Sequence, residues 1–382
     1  MTNTSISLIL VAAGDKGVTQ CHGFLMTANP TGHEPVFCTI VPPHLLDKAA
    51  QSGDPALAGP ARRTLERDAL ERTRRRLTTV IGAPAMLPPP EASPGKPHRT
   101  IYDAGHLTDL PGTKVRGESD KPVTDATVNR AYAGLGATFE LYLKAYGRNS
   151  IDGSGLPLNA SVHFDRDYNN AFWNGEQMVF GDGDGQLFLD FTNAVDVIGH
   201  ELTHGVTQHT ANLTYFGQPG ALNESVSDVF GSLIKQYALG QSAADADWLI
   251  GAGLLGPRVT GQALRSMKAP GTAYDDDELG KDPQPATMAD YVQTSSDNGG
   301  VHINSGIPNH AFYLLATALG GNAWERAGQI WYDALTGGEL AADADFAAFA
   351  QLTVKVARDR YQDGAELENV LKAWQQVGVP TQ

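Results

Sequence analysis

Apolar positions recur near a helical period in the second half of the chain and in broken, turn-bounded runs in the first. Helix-compatible stretches cover 194–209, 221–238, 306–319, 322–334, 343–360 and 364–376, which predicts a helical C-terminal lobe. Between 99 and 191, short apolar or aromatic runs alternate with Gly, Asn and Asp, interrupted by one helical segment over 128–146. That half is predicted to be mostly strand. Another helical pattern covers 60–77, where Glu66 and Glu71 can pair with nearby arginines and Arg74-Arg75-Arg76 reads as a solvated face. Residues 83–97, APAMLPPPEASPGKP, are too rich in Pro for helix or ladder and predict an extended linker at a domain boundary. No solenoid-period repeat runs through the sequence.

A length of 382 residues implies two or three domains, each with its own core. The formal charge of -15 opposes a general nucleic-acid or anionic-membrane binder, whose partners the averaged field would repel. No apolar run is long enough to span a bilayer. The run 6–13 (ISLILVAA) lacks a preceding basic residue and is followed by Gly14, Asp15 and Lys16, so it reads as a first strand and not as the core of a signal peptide. Cys21 and Cys38 are the only cysteines, which excludes a disulfide framework for the bulk of the fold and leaves the redox compartment open.

The candidate chemistry sits where the helical half begins. His200-Glu201-Leu202-Thr203-His204 lies within an apolar-periodic helix, so the two imidazoles stand one turn apart on one face and can grip a single ion. In a chain of this composition such a pattern arises by chance with a probability of roughly one to two per cent, so context must decide. The next helix carries Asn223-Glu224-Ser225-Val226-Ser227-Asp228, with Glu224 and Asp228 one turn apart. His200, His204 and Glu224 then give three protein ligands and one open position, the arrangement that suits Zn2+ with an activated water. Asp228 suits an outer role, accepting a hydrogen bond from a ligand imidazole, with Asn223 beside it. Glu201, next to a ligand but pointing to one side, can take a proton from the water and return it to the leaving amine.

HELTH followed by ALNESVSD at this spacing resembles the thermolysin-like metalloendopeptidases. HFDRDYNNAFWNGEQMVFGDGDG at 163–185 resembles that family's substrate-edge strand, and SDNGGVHINSGIPNHAFYL at 296–314 its catalytic-histidine segment. The resemblance implies an α+β, two-lobed metallopeptidase: a β-rich lobe over 98–209 ending in the zinc helix, and an α-helical lobe over 210–382. Tyr215 and His302 would donate to the oxyanion, with Asp297 orienting His302. Asn170 and the backbone of Ala171 would hold the substrate as an added strand, and Arg265 would bind the carbonyl beyond the cleaved bond. Phe188, Phe191, Val197 and Leu264 would line the pocket for a bulky apolar residue after that bond. CTIVPPHLLDKAA at 38–50 and DPQPATM at 282–288 resemble the protealysin-type branch, which implies that 1–97 is a short inhibitory propeptide with its processing linker, cleaved between about 77 and 99. Family members bind calcium beside the zinc helix; here Lys235 faces Asp196 across the helix pair, so that site is expected to be absent. The resemblance leans towards a secreted enzyme acting on proteins and peptides, while the lack of a clear signal peptide leaves cytoplasmic accumulation of the precursor open.

Rival patterns weigh less. Asp165, Asp167, Asn169 and Glu176 imitate a calcium loop, but Asn170 stands where such a loop needs Gly. GDGDG at 181–185 lacks the Lys-Ser/Thr ending of a phosphate loop and reads as a tight turn. Cys38 could reach the zinc as a thiolate, yet a small buried Cys is the commoner role and is the one expected. A zinc aminopeptidase would share two His and a Glu but needs an acidic anchor for the free amine, and no such motif occurs. A non-catalytic binding protein on the same fold is opposed by the presence of Glu201, Tyr215 and His302 together.

Overall fold

The computed structural model of the chain describes residues 37–81 and 95–382. The run 6–13, Cys21 and most of the Pro-rich stretch lie outside the described residues. After an extended segment from Phe37, two prolines start helix α1 (Pro43–Ala49), followed by the long helix α2 (Pro55–Ile81). The Asp54 carboxylate accepts from the Ala56 N–H at 3.0 Å where α2 begins, and Pro55 costs nothing at a position with no intrahelical acceptor. Among the described residues of α2, buried Leu57, Ala61, Thr64, Asp68 and Glu71 recur four, three, four and three apart, one stripe of a helix, which Ala58 and Pro60 widen at its start. Its apolar beginning shares a core with Leu45, Leu46 and Ala49 of α1. Its polar continuation meets the loop at Tyr168, Asn169 and Asn170.

Strands β1 (Arg99–Asp103) and β2 (Thr113–Gly117), helix α3 (Ala126–Tyr146), and strands β3 (Leu158–Val162), β4 (Ala171–Trp173) and β5 (Met178–Phe180) follow. They form a sheet of order β2-β1-β3-β5-β4, in which β1–β3 and β3–β5 are parallel and the other pairs antiparallel. Asp125 caps α3 by accepting from Thr127 N at 2.8 Å, and Gly147 ends it with φ +67°. The sequence predicts more strand here than forms. The strands are three to five residues long, and the Asn, Asp and Gly residues between them hold turns, with His163, Asp165 and Asp167 all at positive φ.

Helices α4 (Val195–Gln208) and α5 (Gly217–Leu239) cross beneath the sheet lobe, and after an irregular connection carrying the short pair β6 (Leu249–Ile250) and β7 (Arg265–Ser266) come α6 (Asp297–Asn304), α7 (Gly306–Leu319), α8 (Ala327–Thr336), α9 (Phe346–Tyr361) and α10 (Ala365–Gln376). Two glycines set the α4–α5 approach. A Cβ on Gly231 would meet the carbonyl oxygen of Asp196 at 2.4 Å, and one on Gly199 would meet Ile234 Cδ1 at 2.6 Å. The bare backbones therefore close to a distance that brings α4 imidazoles to an α5 carboxylate. The stretch 322–334 starts its helix late, at Ala327, because 323–326 form a turn that bonds Gly328 N to Ala323 O at 2.8 Å. Among the described residues no helix is long and apolar enough to cross a membrane.

Candidate metal centre and substrate cleft

On α4, His200 and His204 turn their Nε2 atoms toward each other at 3.1 Å. Each Nδ1 is occupied: His200 Nδ1 by Asp228 Oδ1 at 2.8 Å, and His204 Nδ1 by Asn223 Oδ1 at 2.8 Å. Asn223 is itself oriented by donating through Nδ2 to Leu213 O at 3.4 Å. With both Nδ1 positions donating, the two Nε2 lone pairs face one another in a buried space, a repulsive arrangement unless a cation lies between them. Glu224 of α5 completes the group, with oxygens 3.5 Å from each Nε2. Its Oε2 is buried without a hydrogen bond. These donors, two imidazoles and a carboxylate, fit Zn2+.

Asp228 is more heavily bonded than the sequence suggests. Besides His200 it accepts from Arg265 Nε at 2.8 Å, Arg265 Nη2 at 2.8 Å and Asn309 Nδ2 at 2.8 Å. Burial pushes its carboxyl up, but Arg265 and His200 outweigh that and hold it down at about 2. Glu201 Oε2 accepts from the backbone N–H of Trp173 at 3.0 Å, and its Oε1 is buried without a hydrogen bond. Burial raises its carboxyl to about 8, with His200 opposing and Glu224 adding to the rise.

His302 approaches from α6 by an unusual route. Residues Asp297, Asn298, Gly299 and Gly300 have φ of +52°, +49°, +83° and +78°, a left-handed turn that Asp, Asn and Gly tolerate best. The turn folds Asp297 back so that its carboxylate takes His302 N at 2.9 Å and His302 Nδ1 at 2.6 Å. Burial lowers the His302 pKa, but Asp297 and Glu224 raise it more, which favours the form with Nε2–H facing the cleft. Tyr215 donates its hydroxyl to Glu224 Oε1 and lies 3.4 Å from His302 Nε2.

The cleft holds a peptide, and it is the chain's own. Thr39 bridges Phe172 of β4 in the antiparallel sense. Ile40 N donates to Ala171 O at 3.1 Å, Val41 N to Asn170 Oδ1 at 2.9 Å, and Arg265 Nη1 to Ile40 O at 3.1 Å. Phe37–Val41 thus adds a strand to the sheet edge. Phe188, Phe191, Val197 and Leu264 are all buried in the core cluster that contains Ile40. Helix α2 clamps the same loop: Asp68 accepts from Tyr168 Oη at 2.5 Å and from Asn170 Nδ2 at 3.0 Å, and Thr64 Oγ1 accepts from Asn169 N at 3.0 Å. Burial pushes Asp68 up to about 7, the bonds from Tyr168 and Asn170 offsetting only part of the rise.

Two sequence expectations change. The run Arg74–Arg76 is not simply a solvated face, because Arg75 donates to Asn174 O and, at 2.8 Å, to Gln208 Oε1. Cys38 is buried but is not an inert filler: its Sγ lies 2.9 Å from Glu224 Oε1 and 3.6 Å from His302 Nε2. Spacing does not reveal this, since the thiol lies 186 residues before Glu224; the visible signal is its place two residues before Ile40 in a strand-like run. Asp165 and Asp167 pair with Arg67 at 3.2 Å and Arg63 at 2.8 Å on α2. Asp184 Oδ1 closes the GDGDG turn on Gln186 N at 2.8 Å. Away from the cleft, His163 bonds Asp182 at 2.9 Å and Asp125 at 2.8 Å; the Asp182 bond leads in raising its pKa to about 9, so it is a cation tying the sheet to the start of α3.

Residues 94–208 match the profile described as thermolysin metallopeptidase, catalytic domain, and 211–379 that described as thermolysin metallopeptidase, alpha-helical domain. The chain belongs to the thermolysin metallopeptidase family. Thermolysin-family metallopeptidases hydrolyse peptide bonds and use zinc. An extracellular metalloprotease of Pectobacterium carotovorum subsp. carotovorum is 49% identical over 342 residues, 90% of this chain and 96% of that one. A thermolysin of Alicyclobacillus acidocaldarius subsp. acidocaldarius is 40% identical over 289 residues, 73% of this chain and 50% of its own length. The structure of the precursor of protealysin, a metalloproteinase from Serratia proteamaculans, superposes with a TM-score of 0.79 at 52% identity, covering 90% of this chain and 100% of that one. The thermolysin-like fold, with a mixed sheet and a helical C-terminal lobe, is thus shared with a precursor.

Proposed function

We propose that this thermolysin-like chain is the latent precursor of a zinc endopeptidase that cuts before bulky apolar residues. One observation carries the reading: the extended segment Thr39–Val41 lies along β4, held by Asn170, Ala171 and Arg265, beside His200, His204 and Glu224. A substrate held by the same groups would continue past both ends of the cleft, which favours internal cleavage over trimming. Ile40 takes the position after the bond to be cut, since its carbonyl receives Arg265. The apolar residues Phe188, Phe191, Val197 and Leu264 then define the preference.

Zn2+ bound by His200, His204 and Glu224 would supply a Lewis acid at the fourth position. Asp228 and Asn223 fix the two imidazoles as Nδ1–H tautomers, so that Nε2 is the donor atom. Glu201, anchored by Trp173 N, takes the proton of the attacking water and hands it to the leaving nitrogen. His302, held by Asp297 with its Nε2–H toward the cleft, and Tyr215 donate to the oxygen that becomes negative. In the precursor Tyr215 is committed to Glu224 and the cleft is filled, so the propeptide inhibits until cleavage between about 77 and 99. Release from the cell belongs to the same reading and is supported by the name of the Pectobacterium relative.

Beside α4, Lys235 Nζ donates to Asp196 Oδ2 at 3.2 Å, Asp247 Oδ1 at 2.9 Å and Leu249 O at 3.1 Å. This ammonium stands in for calcium at that position. The test of the main reading is digestion of a mixed peptide library by activated protein, with and without a zinc chelator, with cleavage positions read by mass spectrometry. Chelator-sensitive internal cuts before Leu, Ile, Val or Phe are expected. Removal of single N-terminal residues would favour an aminopeptidase, and no cleavage would favour a binding protein.

A further inference from the structure

We propose that Cys38 is the fourth ligand of the metal in the precursor, so that a thiolate occupies the position the attacking water needs. The proposal deepens the latent-precursor reading and rests on it. Cys38 Sγ, one ring nitrogen of each of His200 and His204, and a Glu224 oxygen all lie within 4.8 Å of one another, and all four residues are buried. A tetrahedral zinc with bonds of the usual length separates its ligand atoms by roughly 3.3–3.7 Å. The separations here are 2.9 Å for Sγ to Glu224 Oε1, 3.1 Å between the two Nε2 atoms, and 3.5 Å from each Nε2 to Glu224. Small outward shifts would therefore fit the ion. Glu224 Oε2 supplies an independent sign, since it is a buried carboxylate oxygen with no hydrogen bond, facing the same space.

The backbone explains how the thiol is delivered. Side chains alternate along a strand, so Cys38 and Ile40 share one face and Thr39 takes the other. The register is fixed by the Thr39–Phe172 bridge and the bonds at Ile40 and Val41, and Pro42 and Pro43 set the turn into α1. The strand that seats Ile40 thus also points Cys38 at the ligands. Sγ also lies 3.6 Å from Thr39 O and 3.6 Å from His302 Nε2, and it is hydrogen-bonded to the Tyr215 hydroxyl. With the metal bound, Cys38 would give its S–H proton to bulk water and hold the ion as a thiolate; on propeptide departure the sulfur would take a proton back from bulk water and a water molecule would enter the vacated position. The latch is therefore covalent in character but reversible, and a strand of substrate-like geometry is kept from reaction by its own neighbouring side chain.

The direct test is X-ray absorption of the zinc-loaded full-length chain in a Glu201→Ala, Cys21→Ser background, which prevents self-cleavage and leaves one cysteine. One sulfur scatterer at about 2.3 Å is expected, lost on adding Cys38→Ser and lost again after the propeptide is cut and removed. The cobalt-substituted chain should show a thiolate charge-transfer band in the near ultraviolet with Cys38 intact and the propeptide docked, and should lose it in the other two conditions. A shell of nitrogen and oxygen alone, with Cys38 intact and the propeptide docked on a sizing column, overturns the proposal. Latency is assayed separately on the Glu201 chain. An inactive precursor without the sulfur signal rejects the Cys38 ligand and keeps the latency reading, whereas full activity in the uncut chain rejects latency itself.

Discussion

Replacing Lys235 by methionine removes the ammonium that neutralises Asp196 while keeping the length of the side chain. Asp196 is 1% exposed and would retain only the N–H groups of Val197 at 3.0 Å and Gly251 at 3.3 Å. Breaking a buried ion pair from one side costs about 3–5 kcal/mol. The side chain of Lys235 is 13% exposed and that of its other partner, Asp247, 42%, so water can reach the gap and the expected loss falls to about 2–3 kcal/mol. In a chain of this size that is a fall in Tm of roughly 2–4 °C. Lys235→Glu should behave differently. It gathers three carboxylates and the Leu249 carbonyl around one point, a hard-oxygen set suited to calcium. Calcium at about 100 times its Kd would then restore roughly 2.7 kcal/mol. Thermal melts of the Glu201→Ala chain and these two variants across a buffered calcium series, free of self-digestion, give the comparison. The reasoning is refuted if the Lys235 chain itself gains strongly from calcium with an ion between Asp196 and Lys235, or if Lys235→Met melts unchanged.

Asp68 has a carboxyl pushed up by burial from 3.8 to about 7 in the docked propeptide, so the docked state binds the extra proton. Its contribution to docking is full below about 4 and is lost as pH rises toward 7, a change of a few kcal/mol. Propeptide release, followed by size exclusion of cut material, should speed up across that window, and Asp68→Asn should flatten the profile while Tyr168, Glu71 and Arg72 stay in place. Glu224→Gln exchanges a carboxylate for a weaker neutral ligand; competition with a chromophoric chelator should show zinc affinity falling by at least about tenfold, and unchanged affinity would remove Glu224 from the metal. N-terminal sequencing of activated protein should place the processing bond between about 77 and 99, and an active chain that still begins at Met1 would contradict the inhibitory propeptide.

Much of the architecture is written in short-range pattern. The helical period over 194–209 and 221–238 corresponds to α4 and α5 within a few residues, because both are long and packed on one face. The convergence of His200, His204 and Glu224 is readable for the same reason: helical spacing fixes faces, and a downstream NESVSD segment supplies the second face. What escapes is set by long-range contact. The helix α1 is short and hidden behind Pro42 and Pro43. The left-handed turn at Asp297–Gly300 looks like any Asp-Asn-Gly-Gly loop; the pairing of Asp297 with His302 is expected from the resemblance alone, and the fold shows the turn that makes it. Arg75 reads as one of three exposed arginines until α2 is laid against Asn174 and Gln208. For Cys38 the sequence offers a zinc thiolate and a buried filler alike, since a single thiol gives no spacing against which to test a metal role, and its place at the ligands depends on the register of one added strand.

The claim that matters most is that His200, His204 and Glu224 hold the metal while Glu201 moves the proton. Glu201→Ala separates the two roles in one protein, because it deletes the proton carrier and leaves every candidate ligand in place. The measurement is zinc content by mass spectrometry together with turnover of an apolar peptide, on material from which the propeptide has been cut in trans and removed. The account predicts close to one equivalent of zinc and activity lower by several orders of magnitude. Loss of the zinc, or retention of activity with the zinc in place, would contradict it.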